Sequence, residues 1–174
     1  MTTYPRHMTE LDQEWSRLLD AATGRAQAAG RHDVAEYLRL RATNDAIRKV
    51  GCTWLFNTFV ESATDLQRRW NQLAIERQEP HSFAHGRSNM VGSRLNVRLG
   101  VRCLSIEAGW ARVPSDGIMR SGALAFSLIT HFGMPKAGAE LSLVHSDTLP
   151  QWVDGEKTIV DQDYIRRHFE IFLG

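Results

Sequence analysis

Only two cysteines, Cys52 and Cys103, occur among 174 residues, and they fall in different segments. The opening MTTYPRHMTELDQEW lacks the apolar core of a secretory signal. That combination excludes a disulfide-built fold and leads to the expectation of two reduced, buried thiols in a cytoplasmic protein. No run of about 18 apolar residues exists to cross a membrane as a helix. Lysine is scarce as well: of 21 basic residues only Lys49, Lys136 and Lys157 are lysines. The formal net charge is +1, so the chain has no overall pull toward nucleic acid or an anionic bilayer. Walker A loops, dinucleotide fingerprints, nucleophile elbows and HExxH helices are all missing. The stretch GRSNMVGSR has glycine and serine but lacks the strand–loop–helix setting that a phosphate cradle needs. There is no internal repeat, no low-complexity segment and no implied cofactor.

What is present is an ordinary globular composition, 43% hydrophobic and 24% charged. Met8, Leu11, Trp15, Leu18 and Ala22 recur at alternating spacings of three and four, which predicts a helix over 8–29 with a narrow apolar seam. Two heptads are too few to hold a helix alone, so the seam implies a cover, either a neighbouring helix or a second chain. Gly30 ends this helix, and Asp33 with Glu36 opens the next as a capping box. Trp54, Leu55, Phe59, Leu66, Trp70 and Leu73 extend a helical stripe that reads as core. Gly51, which costs about 1 kcal/mol inside a helix, predicts a break or bend between Thr43 and Gly51.

Pro80 marks a change to period-two alternation. HSFAHGRSN reads as loop, strands are predicted at 91–99, 101–110, 121–132 and 139–145, and 146–160 reads as irregular. DQDYIRRHFEIFL reads as a closing helix. The expected fold is therefore α+β: two or three N-terminal helices, an antiparallel sheet of about four strands, and a C-terminal helix. Segments 1–79 and 80–174 are its expected divisions, with a single shared core left open.

RSNMVGSRLNVRLGVRCLSIEAGW, residues 87–110, sets Arg94, Arg98 and Arg102 at four-residue intervals, a stripe suited to an anion. On a straight strand Leu95, Val97, Leu99, Val101 and Cys103 would share one face. The next large apolar residues, Leu104, Ile106 and Trp110, have the opposite parity. A strand exchanges its buried face only through a turn or bulge, so a hairpin with Leu99-Gly100 as its loop is expected. That register sets Leu95 opposite Leu104 and Arg98 opposite Val101. It buries Leu95, Val97, Leu104, Ile106 and Trp110, and turns Arg94 and Arg98 outward with Cys103 and Glu107. Arg102 falls on the other parity, at the hairpin tip. The expected result is a solvated strand face with an Arg94–Glu107 pair worth about 0–1 kcal/mol; an anion or nucleic-acid platform is the alternative.

Charge is unevenly arranged. Residues 87–120 carry Arg87, Arg94, Arg98, Arg102, Arg112 and Arg120 against Glu107 and Asp116, a net +4. Residues 139–163 carry Lys157 against Glu140, Asp147, Asp154, Glu156, Asp161 and Asp163, a net −5. The simplest expectation is that the two segments face each other, within one chain or between two. In the strand over 121–132, alternation predicts burial of Leu124, Phe126 and Leu128. It predicts a small-residue outer face of Ala123, Ala125, Ser127 and Ile129, joined by Cys103 and Gly109. Something must lie on such a face: the closing helix, a second subunit or a ligand.

For chemistry, His81 and His85 have the spacing of two metal ligands on one helical turn, but they follow Pro80 in a loop-like stretch, and tetrahedral zinc needs further ligands. Cys103, His131 and Glu107 are the one set from which a nucleophile, a base and an orienting carboxylate can be assembled. The function expected from these features is a non-catalytic protein-interaction module whose partner is itself, as a homodimer or higher assembly, with another protein as the alternative partner, no membrane, and nucleic acid the last of the readings. A small-ligand domain is the alternative, with a pocket of some 300 Å³ or more lined by Trp54, Trp110 or Phe126. An enzyme using the Cys103 set is the third.

Overall fold

The structure, a computed structural model, describes residues 7–119, 121–146 and 149–174. The chain divides into two compact units, Met1–Ala46 and Ile47–Gly174. Its elements run α1 (His7–Ala28), α2 (His32–Gln67), β1 (Ala74–His85), β2 (Ser88–Leu99), β3 (Arg102–Trp110), β4 (Ala125–His131), β5 (Ala139–Val144), β6 (Gln151–Asp154) and α3 (Gln162–Leu173). The fold is α+β as the sequence implies, with six strands rather than about four.

In the first unit α1 ends at Gly30, whose φ of +70° suits only glycine without strain. The turn back into α2 is closed by Arg31 N–H donating to Ala26 O at 2.9 Å. Among the described residues the side chains buried in this hairpin are Leu19, Ala26 and Ala35. The expected seam is therefore rotated by about one residue, roughly 100° of helix. Trp15 and Leu18 are exposed, while the side chains of Met8 and Leu11 lie outside the described residues. Trp15 is held at its rim, its Nε1–H donating to Asp45 at 3.1 Å and the Arg41 guanidinium 5.3 Å from its ring centroid.

The break expected near Gly51 does not occur; α2 is one helix of 36 residues. Thr43 folds its hydroxyl back onto Arg39 O at 3.0 Å instead of capping a new helix. Gly51 marks a close approach. A Cβ there would sit 2.6 Å from Leu143 Cδ2, and its carbonyl accepts the Trp152 indole N–H at 2.9 Å.

In the second unit the six strands form one antiparallel meander in the order β1-β2-β3-β4-β5-β6. One face, here the inner face, packs Leu95, Val97, Leu104, Ile106, Ile129, Leu141 and Leu143 against Leu55, Phe56, Phe59 and Ala63 of α2. The same core takes Ile165, Phe169 and Phe172 of α3. Residues 47–79 and the sheet thus share one core, and the units divide at Ala46/Ile47 instead of near Pro80. Asp161 caps α3, its carboxylate accepting from Tyr164 N–H at 2.8 Å.

β1 occupies a stretch read as helix end and loop. It is an edge strand, where a proline removes no ladder hydrogen bond, and the register slips between Gln78 and His81 around Pro80. That bulge and the charges on both faces conceal its alternation. β6 was hidden by its length of four residues.

The hairpin between β2 and β3 exists, shifted by one residue. Leu99 faces Arg102, so Gly100-Val101 is the loop, and Gly100 has φ +59°. Glycine with positive φ at the first loop position is the type II′ preference; Leu99 cannot take that place. The His85–Ser88 closure around Gly86-Arg87 repeats the arrangement, with Gly86 at φ +60°.

β4 is inverted relative to expectation. Ala125, Ser127, Ile129 and His131 pair with inner-face residues, Ile129 with Ile106 and His131 with Leu104. The small residues lie inward, in the core that α2 and α3 close. Cys103 and Gly109 have the opposite parity and face outward with Phe126 and Leu128. There Phe83, Met90, Ala123 and Phe126 form a second apolar cluster, with Met119 and Leu128 against it.

The two faces differ enough to be told apart by truncation. Ile129→Ala should destabilise by about 2–4 kcal/mol, and Leu128→Ala, half-buried on the outer face, by clearly less. Urea denaturation of both variants checks this, and the reverse order would contradict the inner-face assignment.

Candidate functional site

The outer face gathers most of the polar side chains singled out in the sequence. Arg94 lies directly opposite Glu107 and Arg98 directly opposite Cys103 in the β2–β3 ladder. The expected Arg94–Glu107 pair is nevertheless replaced. Glu107 holds His81 of β1, with Nε2 to Oε1 at 2.5 Å, a contact that requires a proton between them. Arg94 instead donates from Nε to Asn96 Oδ1 at 3.0 Å and from Nη2 toward Ser105 Oγ at 3.4 Å. Ser105 donates to the same Asn96 oxygen at 2.6 Å. Arg98 pairs with Glu76 at 3.3 Å on an exposed rim, and Cys103 Sγ lies 3.6 Å from Ser105 Oγ.

Arg102 leaves this face. Its guanidinium reaches the carbonyls of Phe172 and Leu173 at the end of α3, so it satisfies a helix terminus. The arginine stripe thus resolves into three different roles: Arg94 in a neutral network, Arg98 in a surface ion pair, Arg102 as a helix clamp.

His81 and His85 are together on the outer face, but on a strand, where four residues span about 13 Å. They cannot share one metal ion. His85 stacks on Phe126 with centroids 3.9 Å apart and lies 3.6 Å from Glu140. Among the described residues no group of three or more His, Cys, Asp or Glu side chains is placed to hold a metal.

The Cys103–His131–Glu107 set is not brought together. Cys103 and Glu107 face outward, whereas His131 faces inward and is buried. His131 Nε2 lies 3.0 Å from Nδ1 of His168 on α3, and the rings stack at 5.3 Å. His131 Nδ1 is buried without a partner. That orphan decides the tautomer. A proton on His131 Nε2 leaves Nδ1 as a bare acceptor, which costs less than stranding a buried N–H donor. Burial lowers the pKa of both rings, and for His168 the His131 and Arg167 charges add to it, bringing it to about 4. Cys52 is buried in the core, where desolvation pushes its thiol up to about 12.

The described cleft of about 400 Å³ lies between α2 and α3, lined by Thr58, Glu61, Asp65, Arg69, Asp163 and Arg166 among others. It opens between two helices instead of between helices and sheet, and Trp54, Trp110 and Phe126 do not line it. The complementary charged segments have local duties. Asp154 accepts from Glu156 and Thr158 N–H groups, Asp161 caps α3, and Asp163 pairs with Arg166 at 2.8 Å. Arg112 stacks on Trp110 at 3.7 Å.

Compared with protein-family models, with curated proteins and with solved structures, the chain matches none. No helix is long and apolar enough to cross a membrane among the described residues.

Asn96, Ser105 and His168 were missed in the sequence. Asn96 was within reach, since it alternates outward between Arg94 and Arg98. Ser105 needed the ladder register, and the His131–His168 pair joins elements 37 residues apart, which no local pattern reveals.

The buried histidine pair makes stability depend on acid. Both folded pKa values lie below the ordinary value near 6.5, so the unfolded chain binds more protons as pH falls. Stability is full above about pH 6.5 and declines toward pH 4, by up to about 3 kcal/mol for a shift of this size. Tyr164 packs beside His168 on α3, and its phenol, pushed up to about 12 chiefly by burial, stays out of that window. Urea midpoints from pH 7 to 5 should fall for the native chain and flatten for His168→Phe. Parallel slopes would refute the pair's role.

Proposed function

We propose that this chain is a non-catalytic interaction module that assembles with copies of itself through the α1–α2 hairpin. The observation that carries the reading is how little this hairpin buries. Leu19 and two alanines make up its described core, while Trp15, Leu18, Tyr37 and Leu40 are 42%, 53%, 61% and 59% exposed. A unit of this size with so few buried side chains does not hold together alone.

A second copy is the occupant that fits. Tyr37 and Leu40 lie three residues apart on α2, a spacing found in helices that pair with each other. By helical spacing Leu18 and Tyr37 fall on the same flank of the hairpin. α1 has 22 residues, hence a length of about 33 Å. A face that long and two helices wide offers roughly 700 Å², the scale of one side of a stable interface. The small residues of β4 do not compete for this role, because they lie in the core with α2 and α3. The Cys103 set, which a covalent enzyme would need, is divided between the two sheet faces.

Light scattering coupled to gel filtration tests the proposal. The native chain should elute as a dimer or higher multiple, and Leu18→Glu with Leu40→Glu should weaken association at least tenfold while the circular dichroism spectrum is kept. A monomeric native chain, or an assembly indifferent to both substitutions, would overturn it.

A further inference from the structure

We infer that the outer face of the sheet carries a binding site for an oxyanion, the carboxylate or phosphate group of a small molecule, centred on Arg94 and Asn96. The inference is independent of self-assembly, since it rests on other residues in the other unit.

Arg94 sits in the second strand of the sheet, half-buried, between β1 and β3. Its described partners are neutral: Asn96 Oδ1 and Ser105 Oγ. Gln78, opposite it on β1, is neutral as well. Glu107, opposite it on β3, is the obvious counter-ion and is already joined to His81. The two neutral acceptors use two of the five N–H groups of a half-buried guanidinium, and the remaining donors are what an anion-binding arginine needs.

Asn96 supplies the second donor. Its residue is only 9% exposed, and its oxygen takes both the Arg94 Nε–H and the Ser105 O–H. Arginine has donors only, so the atom facing it must be the oxygen. The amide nitrogen is then left with two N–H groups and no partner among the described residues. Ser105, buried itself, locks this orientation. Arg98 lies one step further along the same face, but Glu76 neutralises it, and Arg102 is turned to α3. The cradle therefore consists of one cation and one fixed amide between Glu107, opposite Arg94, and Glu76, opposite Asn96, and its donors suffice for a single carboxylate or phosphoryl group.

Isothermal titration with sodium phosphate and, separately, sodium acetate, each against chloride at equal ionic strength, tests the site. Saturable binding of either anion is expected. Phosphate alone would identify phosphate esters as the ligand class, and acetate alone or both would identify carboxylates or oxyanions generally; all three support the site. Arg94→Gln should weaken binding at least tenfold, and Arg98→Gln should leave it within about twofold. Asn96→Asp keeps the acceptor for Arg94 and Ser105 but replaces the outward donors by a negative oxygen, and it should abolish binding in a chain that still melts cooperatively. No binding of either anion above chloride, or binding unchanged in Arg94→Gln or Asn96→Asp, would overturn the inference.

Discussion

The register of the β2–β3 hairpin is the constraint on which the rest of the second unit depends. Side chains alternate along a strand, so a one-residue slip would exchange every inward group for an outward one. With Leu99 opposite Arg102, Leu95, Val97, Leu104 and Ile106 all reach the helices, while Arg94, Asn96, Ser105 and Glu107 all reach the other face. Gly100 secures this, because its positive φ fits the first position of a two-residue loop. Burial of each large apolar side chain contributes about 1.5–3 kcal/mol, so the wrong face would forfeit several such contributions at once. The same register decides the chemistry, since it sets Arg94 beside Asn96 and Ser105 and gives Glu107 to His81.

The two faces are used differently. The inner face is closed by α2 and α3, and its buried polar side chains include Ser93, Ser127, His131 and His168, with orphan atoms on Ser127 and His131. Buried groups of this kind make the α3 contact depend on staying uncharged. The outer face joins an apolar cluster around Met90 to a polar field around Arg94. In the first unit, by contrast, the exposed apolar side chains outnumber the buried ones. One chain thus offers two surfaces of different chemistry, an apolar helical hairpin in the first unit and a polar sheet face in the second.

Much of this was legible in the sequence where one physical rule dominated. The parity change at Leu104 required a hairpin, and the inward set of β2 and β3 followed from it. Gly30 ended the first helix as expected. Legibility failed where two rules competed. Gly51 read as a helix breaker on propensity, but the sheet's approach to α2 at Leu143 and Trp152 needed its lack of a side chain. On β4, size suggested that Phe126 and Leu128 were core, yet they belong to the outer apolar cluster, while Ala125 and Ile129 join the core under α2 and α3. β1 was lost because an edge strand tolerates Pro80 and its bulge. For the site, Arg94 and Arg98 were correctly turned outward, but the sequence could not show that Glu107 would choose His81 or that His131 would meet His168.

The register itself can be measured with one substitution. In the structure Arg98 and Cys103 are directly opposite, a separation of about 4.5–5.5 Å between Cα atoms in an antiparallel pair and within the range that a disulfide spans. Arg98→Cys should therefore oxidise with the native Cys103 to an intramolecular disulfide, detected as a loss of two hydrogens on a monomeric chain by mass spectrometry. If Arg98 instead faced Val101, no such bond would form. Three free thiols after oxidation, Cys52 included, or only cross-linked dimers, would contradict the register and with it the placing of Arg94 opposite Glu107.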